Sequence, residues 1–401
     1  MTEAFILGDF SRSEAVAKAR ALVPVLKERA DRQWNQPRVL QETIDDLYEA
    51  GLLQVFQPKR WGGSELHPSE IFEVIMTLAE GDASVAWVTG VLGVHSFHLA
   101  LLSDQAQRDV WGEDPRALIG SPYAPSGTAT KVDGGYRLSG RWRFSSGCHH
   151  CTWTFLGALV GDDPVTGSFT GPHASALLPR SDYEIVENWE VHGLRATGSH
   201  DIVVKDAFVP DHRMVKFSDI VNGSAPGHEL NKGELYRFPF SQVFSRATST
   251  PVAVGALKGM VDDFIDAAKD RTTTTGSRPS EDGGVSLALA KACVTVDDLK
   301  SWIHRSFAQL ETWISDGSIN ERMDERRKLR FQTAFGPSRC ADAASELYRV
   351  YGGSGIYRNV PFGRQLNDIF ALRSHFTNNY QPNANGWIGA LMGAEVKHMA
   401  V

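Results

Sequence analysis

The chain has 401 residues, of which 42% are apolar, 10% aromatic and 22% charged, enough to bury a core far larger than one minimal domain needs. Disordered, collagenous and disulfide-stapled chains are excluded, the last because four cysteines, at 148, 151, 293 and 340, are too few and too scattered for a framework. The 41 basic and 48 acidic side chains give a net charge of -7, and the longest basic run is Arg326-Arg327-Lys328, so neither nucleic acid nor an anionic membrane is an expected partner.

The amino-terminal segment lacks a cationic stretch before its short apolar run, and no apolar stretch approaches the roughly 18 residues of a membrane span, so a soluble, cytoplasmic protein is expected. Helical periodicity begins with Val16, Ala19, Leu22, Val23 and Leu26, and resumes with Leu40, Ile44, Leu47 and Leu52 before Pro58. A third apolar helical pattern covers 68–79. A fourth, 84–102, is apolar all round and predicts a buried helix.

Between 119 and 215 the texture changes to short β-favouring runs, among them Tyr136-Arg137-Leu138, Trp153-Thr154-Phe155-Leu156 and Ile202-Val203-Val204, with turn chemistry at Asp133-Gly134-Gly135. These predict an antiparallel sheet or barrel. A loop at 222–232 leads into a second helical block with patterns at 252–268, 286–315 and 321–351. The polar stretch 272–284 reads as a loop, because the helices on either side carry apolar stripes that need each other. The expected organisation is α+β: a helical domain at 1–117, a β domain at 118–230 and a helical bundle at 231–401.

Several residues invite a chemical reading. Cys148-His149-His150-Cys151 has the look of half a zinc site, but Cys293 and Cys340 stand alone in helical segments and supply no second half, so no metal is expected. His95 and His98 lie three apart on the buried helix, either as a hydrogen-bonded core pair or as neutral imidazoles beside a ligand. His375 invites the same two readings. The glycine clusters Trp61-Gly62-Gly63, Gly193-Leu194-Arg195-Ala196-Thr197-Gly198-Ser199 and Tyr351-Gly352-Gly353-Ser354-Gly355 match neither a dinucleotide fingerprint nor a P-loop, so the chain alone is not expected to oxidise NADH.

Taken in order, these clusters, with Gly93-Val94-His95, Ser121-Pro122-Tyr123-Ala124-Pro125 and Phe144-Ser145-Ser146-Gly147-Cys148, resemble the acyl-CoA dehydrogenase superfamily over nearly the whole chain. The resemblance is closer to its flavin-dependent monooxygenase branch, the oxygenase components of two-component aromatic hydroxylases such as those acting on 4-hydroxyphenylacetate or a phenolic seco-steroid. It implies an amino-terminal helical domain, a middle antiparallel β domain and a carboxy-terminal four-helix bundle. It also implies reduced FAD or FMN bound between sheet and bundle, an NAD(P)H-dependent flavin reductase as partner, O2 as co-substrate, a C4a-hydroperoxyflavin, and a homotetramer.

Residue by residue, the resemblance places a hydroxyl of Ser145 or Ser146 at flavin N5, Tyr123 and Ala124 along the isoalloxazine edge, and Arg271 at the flavin phosphate of a neighbouring subunit. His375 matches a histidine beside flavin C4a and the substrate, where a dehydrogenase would carry its carboxylate base. Two departures, Asn379 and Phe370, leave the substrate open between a phenol and a fused aromatic such as an indole. The chemistry itself needs one acceptor for the N5 proton, assigned to Ser145, and a base for the phenol or indole proton, assigned to His95 or His375. Trp87, Phe97, His98, Phe376 and Asn379 are the expected substrate-lining residues. Rival readings are a sulfur or nitrogen oxygenase of the same branch, an acyl-CoA dehydrogenase-like flavoenzyme, and a non-catalytic flavin binder.

Overall fold

The fold is described from a computed structural model over residues 13–160, 173–247, 250–272 and 278–396. The amino-terminal segment 1–12 and positions 273–277 of the polar loop lie outside these residues.

Helix α1 (Glu14–Trp34) starts where the Ser13 hydroxyl accepts the Val16 amide at 3.2 Å, and it buries Ala19, Val23, Leu26 and Ala30, the stripe its periodicity predicts. After α2 (Gln41–Glu49), α3 (Pro68–Ala79) opens with proline at its first position, where the missing N–H costs nothing. Asp82 Oδ1 caps α4 (Ala83–Ala100) by accepting the Val85 amide at 3.0 Å, and α5 (Asp104–Trp111) follows, capped by Ser103.

All 18 residues of α4 are buried. With a mean hydropathy of 1.2 the helix is long and apolar enough to cross a membrane by composition, contrary to the reading that no stretch is, yet its whole surface is covered by protein. At Gly90 a β-carbon would sit 2.5 Å from the Ala247 carbonyl oxygen, so glycine is what allows the α4 backbone to touch the segment that ends α7 below.

Among the described residues the middle of the chain forms one eight-stranded sheet from β1 (Ile119–Gly120), β2 (Gly127–Val132), β3 (Gly135–Ser145), β4 (Trp153–Val160), β5 (His173–Pro179), β6 (Glu184–Val186), β7 (His200–Pro210) and β8 (Met214–Lys216). The order is β6-β7-β3-β2-β4-β5-β8, with β1 also paired to β4. The sheet is mixed rather than wholly antiparallel, because β2 lies between β3 and β4: the chain returns from β3 past β2, and β4 therefore runs parallel to β2. A bulge falls near the end of β3, where the register against β7 shifts between Trp142 and Ser145 and Phe144 takes φ +67°. A separate small core of Ala129, Leu138, Trp142, Leu156, Leu178 and Ile202 fills the interior of this sheet.

The remaining helices are α6 (Phe217–Val221), α7 (Phe240–Ala247), α8 (Thr250–Lys269), α9 (Gly283–Ser315), α10 (Met323–Tyr351), α11 (Phe362–Arg373) and α12 (Tyr380–Leu391). Helices α8 to α11 pack as the four-helix bundle, α12 lies on α10, and α3 joins the amino-terminal helices to α8.

One polar bond fastens sheet to bundle. Asp368 on α11, buried, accepts the Leu194 amide at 2.6 Å, and a β-carbon at neighbouring Gly193 would lie 2.1 Å from the Asn367 carbonyl oxygen. Burial, reinforced by the nearby Asp82 carboxylate and opposed by the Leu194 amide and Arg364, raises the Asp368 carboxyl from its ordinary 3.8 to about 7. The folded protein therefore holds a proton that the unfolded chain releases, so this group makes stability fall as pH rises from about 4 to about 7. Asp368→Asn keeps the acceptor oxygen and removes the titration. Urea midpoints of the variant between pH 5 and 7.5 should lose that downward slope, and an unaltered slope would assign it to other groups.

Candidate active site

The bulge in β3 decides which serine meets the helices. Ser145 points its Oγ into the sheet, facing Gly120 of β1 beside Cys151 and Thr154, and has no hydrogen-bond partner there. Ser146 faces α4 instead: the indole N–H of Trp87 donates to its Oγ at 3.1 Å, and the Ser199 hydroxyl lies 2.7 Å away. Ser199 in turn is 2.7 Å from Thr197 Oγ1, which donates to the Leu194 carbonyl at 2.9 Å.

Counting protons along this chain fixes its direction. Thr197 spends its hydrogen on Leu194, so Ser199 donates to Thr197 and Ser146 donates to Ser199. Ser146 Oγ, accepting from Trp87 and donating to Ser199, keeps one lone pair for a further donor. A group with an N–H to be held fits there.

A second polar chain lies further along α4. His95 Nδ1 is 2.6 Å from the Ile119 carbonyl oxygen, which can only accept, so the ring proton sits on Nδ1 and Nε2 is the acceptor. Nε2 is 2.6 Å from Ser121 Oγ, whose hydroxyl therefore donates to it. Tyr123 continues the chain, its hydroxyl 2.8 Å from His98 Nδ1, while the His98 ring stacks on Phe155 at 4.1 Å. Burial pushes His95 down to about 4 and His98 to about 3, the latter helped by His95, so both are neutral at pH 7. At 1.5 Å per residue Trp87 and His95 stand about 12 Å apart along the helix, a separation on the scale of a fused three-ring system.

His375 follows α11 and reaches the first chain. Its ring meets Trp87 edge-on at 4.9 Å. The Thr377 amide donates to Nδ1 at 3.4 Å with the Thr377 hydroxyl 2.7 Å away, which leaves the ring proton on Nε2 as a donor. Desolvation, with repulsion from Arg330, pushes this imidazole down to about 3.

The other sequence candidates scatter. Phe97 points away, stacked at 5.4 Å on Tyr236 and 5.7 Å on Phe240 in the core, because two residues past His95 the helix has turned by about 200°, to the opposite side. Phe376 and Asn379 are exposed beside His375, and Ala124 is exposed beyond Tyr123. Arg271 lies over the Tyr351 ring at 3.9 Å and donates to the Tyr351 carbonyl and Ser354 Oγ at 3.1 and 2.9 Å, holding the glycine turn after α10.

In the Cys-His-His-Cys segment, Cys148 and Cys151 donate to the Gly198 and Gly147 carbonyls at 3.4 and 3.3 Å, and burial raises the Cys148 thiol to about 12. His149, Glu187 and His200 do place ligand-type atoms within 4.8 Å of one another, but His200 Nδ1 is occupied by the amides of Asn188 and Trp189. Sequence reading missed the roles of Ser121, Thr197 and Ser199. Each lies inside a segment that carried the family resemblance, which is the signal that was available.

Residues 13–114 match the acyl-CoA dehydrogenase N-terminal domain family and residues 247–380 the acyl-CoA dehydrogenase C-terminal domain family. The chain is 33% identical to the flavin-dependent monooxygenase oxygenase subunit HsaA of Rhodococcus jostii (strain RHA1), covering 90% of this chain and 93% of that one. It is 30% identical to the oxygenase component of an FADH2-dependent resorcinol hydroxylase of Rhizobium sp. (strain MTP-10005), over 95% of each. The crystal structure of 3-HSA hydroxylase from Rhodococcus sp. RHA1 superposes with a TM-score of 0.91 at 30% identity, covering 98% of this chain and all of the other.

The two serines make opposite predictions for stability. Ser146→Ala leaves the buried Trp87 N–H and Ser199 short of a partner and should cost about 1–3 kcal/mol, whereas Ser145→Ala removes a hydroxyl that bonds nothing and should change stability by less than about 0.5 kcal/mol. Urea unfolding of both variants tests this, and equal losses would contradict the assignment of the hydroxyl chain.

Proposed function

We infer how these side chains act from one premise: the chain belongs to the flavin-dependent monooxygenase branch of the acyl-CoA dehydrogenase superfamily, as the oxygenase component of a two-component aromatic hydroxylase. It uses reduced flavin, supplied by a separate flavin reductase, together with O2. When bound, the flavin supplies the activated oxygen; the protein binds, orients, excludes water and manages two protons.

The first proton is on flavin N5. Ser146 is the acceptor suited to hold it, because every hydroxyl hydrogen in its chain is already committed and one lone pair is left. Ser145, the serine assigned from the sequence, faces the sheet interior. The second proton belongs to the phenol or indole, and the observation that carries the assignment is the His95 tautomer. With Nδ1 fixed on a backbone carbonyl, Nε2 and the Ser121 hydroxyl it polarises form a two-step acceptor for a ring hydroxyl or N–H. His375, protonated on Nε2, serves as a donor and closes the Trp87 side against water.

A phenol or an indole fits this arrangement, because a neutral imidazole relaying through a hydroxyl needs a substrate proton, on a ring hydroxyl or N–H, to take. The names of the relatives include both classes, a resorcinol hydroxylase and an indole-3-acetate monooxygenase. An acyl-CoA oxidation is disfavoured because the turn after α11 presents His375 where that chemistry needs a carboxylate.

His95→Gln should lower hydroxylated product about 10²-fold while flavin reoxidation continues and H2O2 rises, and His375→Gln should do so less severely. Because both imidazoles are depressed far below 6.5, product formation by the parent enzyme should show no inflection near that pH. A folded His95→Gln protein that still couples oxygen uptake fully to product would remove His95 from the reaction.

A homotetramer is the expected assembly. Leu287 and Val294 on α9, Leu391 at the end of α12 and Met392 beside it are apolar and more than half exposed in the single chain, surface that a partner copy would cover. Light scattering at micromolar concentration should give four chains, and a monomer would refute it.

A further inference from the structure

Leu194 leads into the short turn Arg195–Thr197 in a left-handed conformation, φ +52° and ψ +38°, which a leucine keeps only where its surroundings impose it. Both sides of the residue are held. Its amide donates to the buried Asp368 carboxyl at 2.6 Å, and its carbonyl oxygen accepts from Thr197 Oγ1, the Thr197 amide and the Trp189 indole at 2.9, 3.1 and 3.2 Å. Three of these bonds come from the same stretch of chain, 189–197. The bond from Asp368 comes from α11, 174 residues away, and anchors the others.

The Leu194 carbonyl decides the direction of the hydroxyl chain. While it takes the Thr197 hydrogen, Ser199 donates to Thr197, Ser146 donates to Ser199, and Ser146 Oγ keeps a lone pair. Without the Asp368 acceptor, Leu194 is free to relax to negative φ, which turns its carbonyl away and releases that hydrogen. The chain can then run the other way, Thr197 to Ser199 and Ser199 to Ser146, with no heavy atom between Thr197 and Ser146 displaced. Ser146 Oγ now accepts twice, from Ser199 and from Trp87, and its own hydrogen points outward.

The two directions suit different oxidation states of a flavin. Reduced flavin carries a hydrogen on N5 and needs an acceptor there, whereas oxidised flavin presents a bare N5 lone pair and needs a donor. An oxygenase that receives flavin reduced and returns it oxidised is served by the first direction.

We propose that Asp368, acting through Leu194, locks the hydroxyl chain in its accepting direction and so makes the site selective for reduced over oxidised flavin. Asp368 touches neither flavin nor substrate; it is a positioning residue. The proposal rests on the assignment of Ser146 to flavin N5.

Titration of the full chain with oxidised flavin, and anaerobically with dithionite-reduced flavin, using FMN and FAD in turn, gives the ratio of the two affinities without turnover. The parent protein should bind the reduced form about tenfold or more tightly, and Asp368→Ala should cut that ratio by about tenfold, since the reduced form loses a hydrogen bond and the oxidised form gains one. Asp368→Asn keeps an oxygen for the Leu194 amide and should keep the ratio. Thr197→Val leaves the clamp on α11 in place, removes the hydroxyl to which Ser199 donates, and should act as Asp368→Ala does. A merely structural role for Asp368 weakens both forms alike and leaves the ratio unmoved, which would overturn the lock, as would a parent protein without preference. Asp368→Ser repeats the test should Asp368→Ala fail to fold. Ser146→Ala separates the two levels of the argument. If it collapses the ratio while the Asp368 and Thr197 variants do not, Ser146 stays at N5 and the lock is overturned; if it leaves the ratio unchanged, the Ser146 assignment fails and the lock fails with it.

Discussion

Burying a helix on all sides forbids any polar atom on it from falling back on water, and α4 is buried along its whole length. Thr89 solves this locally by donating to the Val85 carbonyl at 2.9 Å. Trp87, His95 and His98 cannot, and each reaches across to a segment of the sheet domain: Ser146 at the end of β3, Ile119 in β1 with Ser121 after it, and Tyr123. An unmet partner at any of these would cost about 1–3 kcal/mol. The bonds that seat the helix on the sheet are therefore the bonds that orient the hydroxyls and imidazoles of the site. Folding and preorganisation are satisfied by the same few contacts.

Where that accounting fails is equally informative. Ser145 Oγ and His98 Nε2 are buried without partners close to the site, and Arg246 fails it more severely, with a full charge. A molecule that satisfies nearly every polar atom of its most buried helix tolerates an unpaired cation one helix away, at the end of the close approach that Gly90 permits.

Much of this was legible in the sequence. The three-and-four spacing of Ala19, Val23 and Leu26 is the buried face of α1, and an apolar run without a polar face could only be an interior helix. The site was legible at coarse grain, because Trp87, His95, His98, Tyr123, Ser146 and His375 do take part in its hydrogen bonds and ring contacts. Three features were not. The parallel β2–β4 pair depends on which side of β2 the chain returns to, which no local pattern records. That Ser146, and not Ser145, meets Trp87 and Ser199 depends on a bulge with Phe144 at positive φ, which breaks the two-residue alternation just where it would be used to decide. Phe97 is two residues from His95 in sequence and across the helix from it in space. The burial of Arg246 was illegible for a different reason: a single cation in a helical window reads as a solvated one, and only the tertiary packing of α7 removes the water.

The stretch from Gly193 to Ser199 touches two partners at once. Its start is clamped to α11 through Asp368 and the Asn367 carbonyl, and its end supplies the hydroxyls of Thr197 and Ser199 that set the polarity of Ser146. The loop belongs to the sheet by connectivity and to the bundle by attachment. A recombinant that took its sheet from one relative and its bundle from another would carry a seam through this loop, and the hydroxyl relay would inherit whatever misfit the seam contained. Shuffling of such oxygenases is then best done by moving the loop together with α11, as a single heritable unit that ignores the domain boundary.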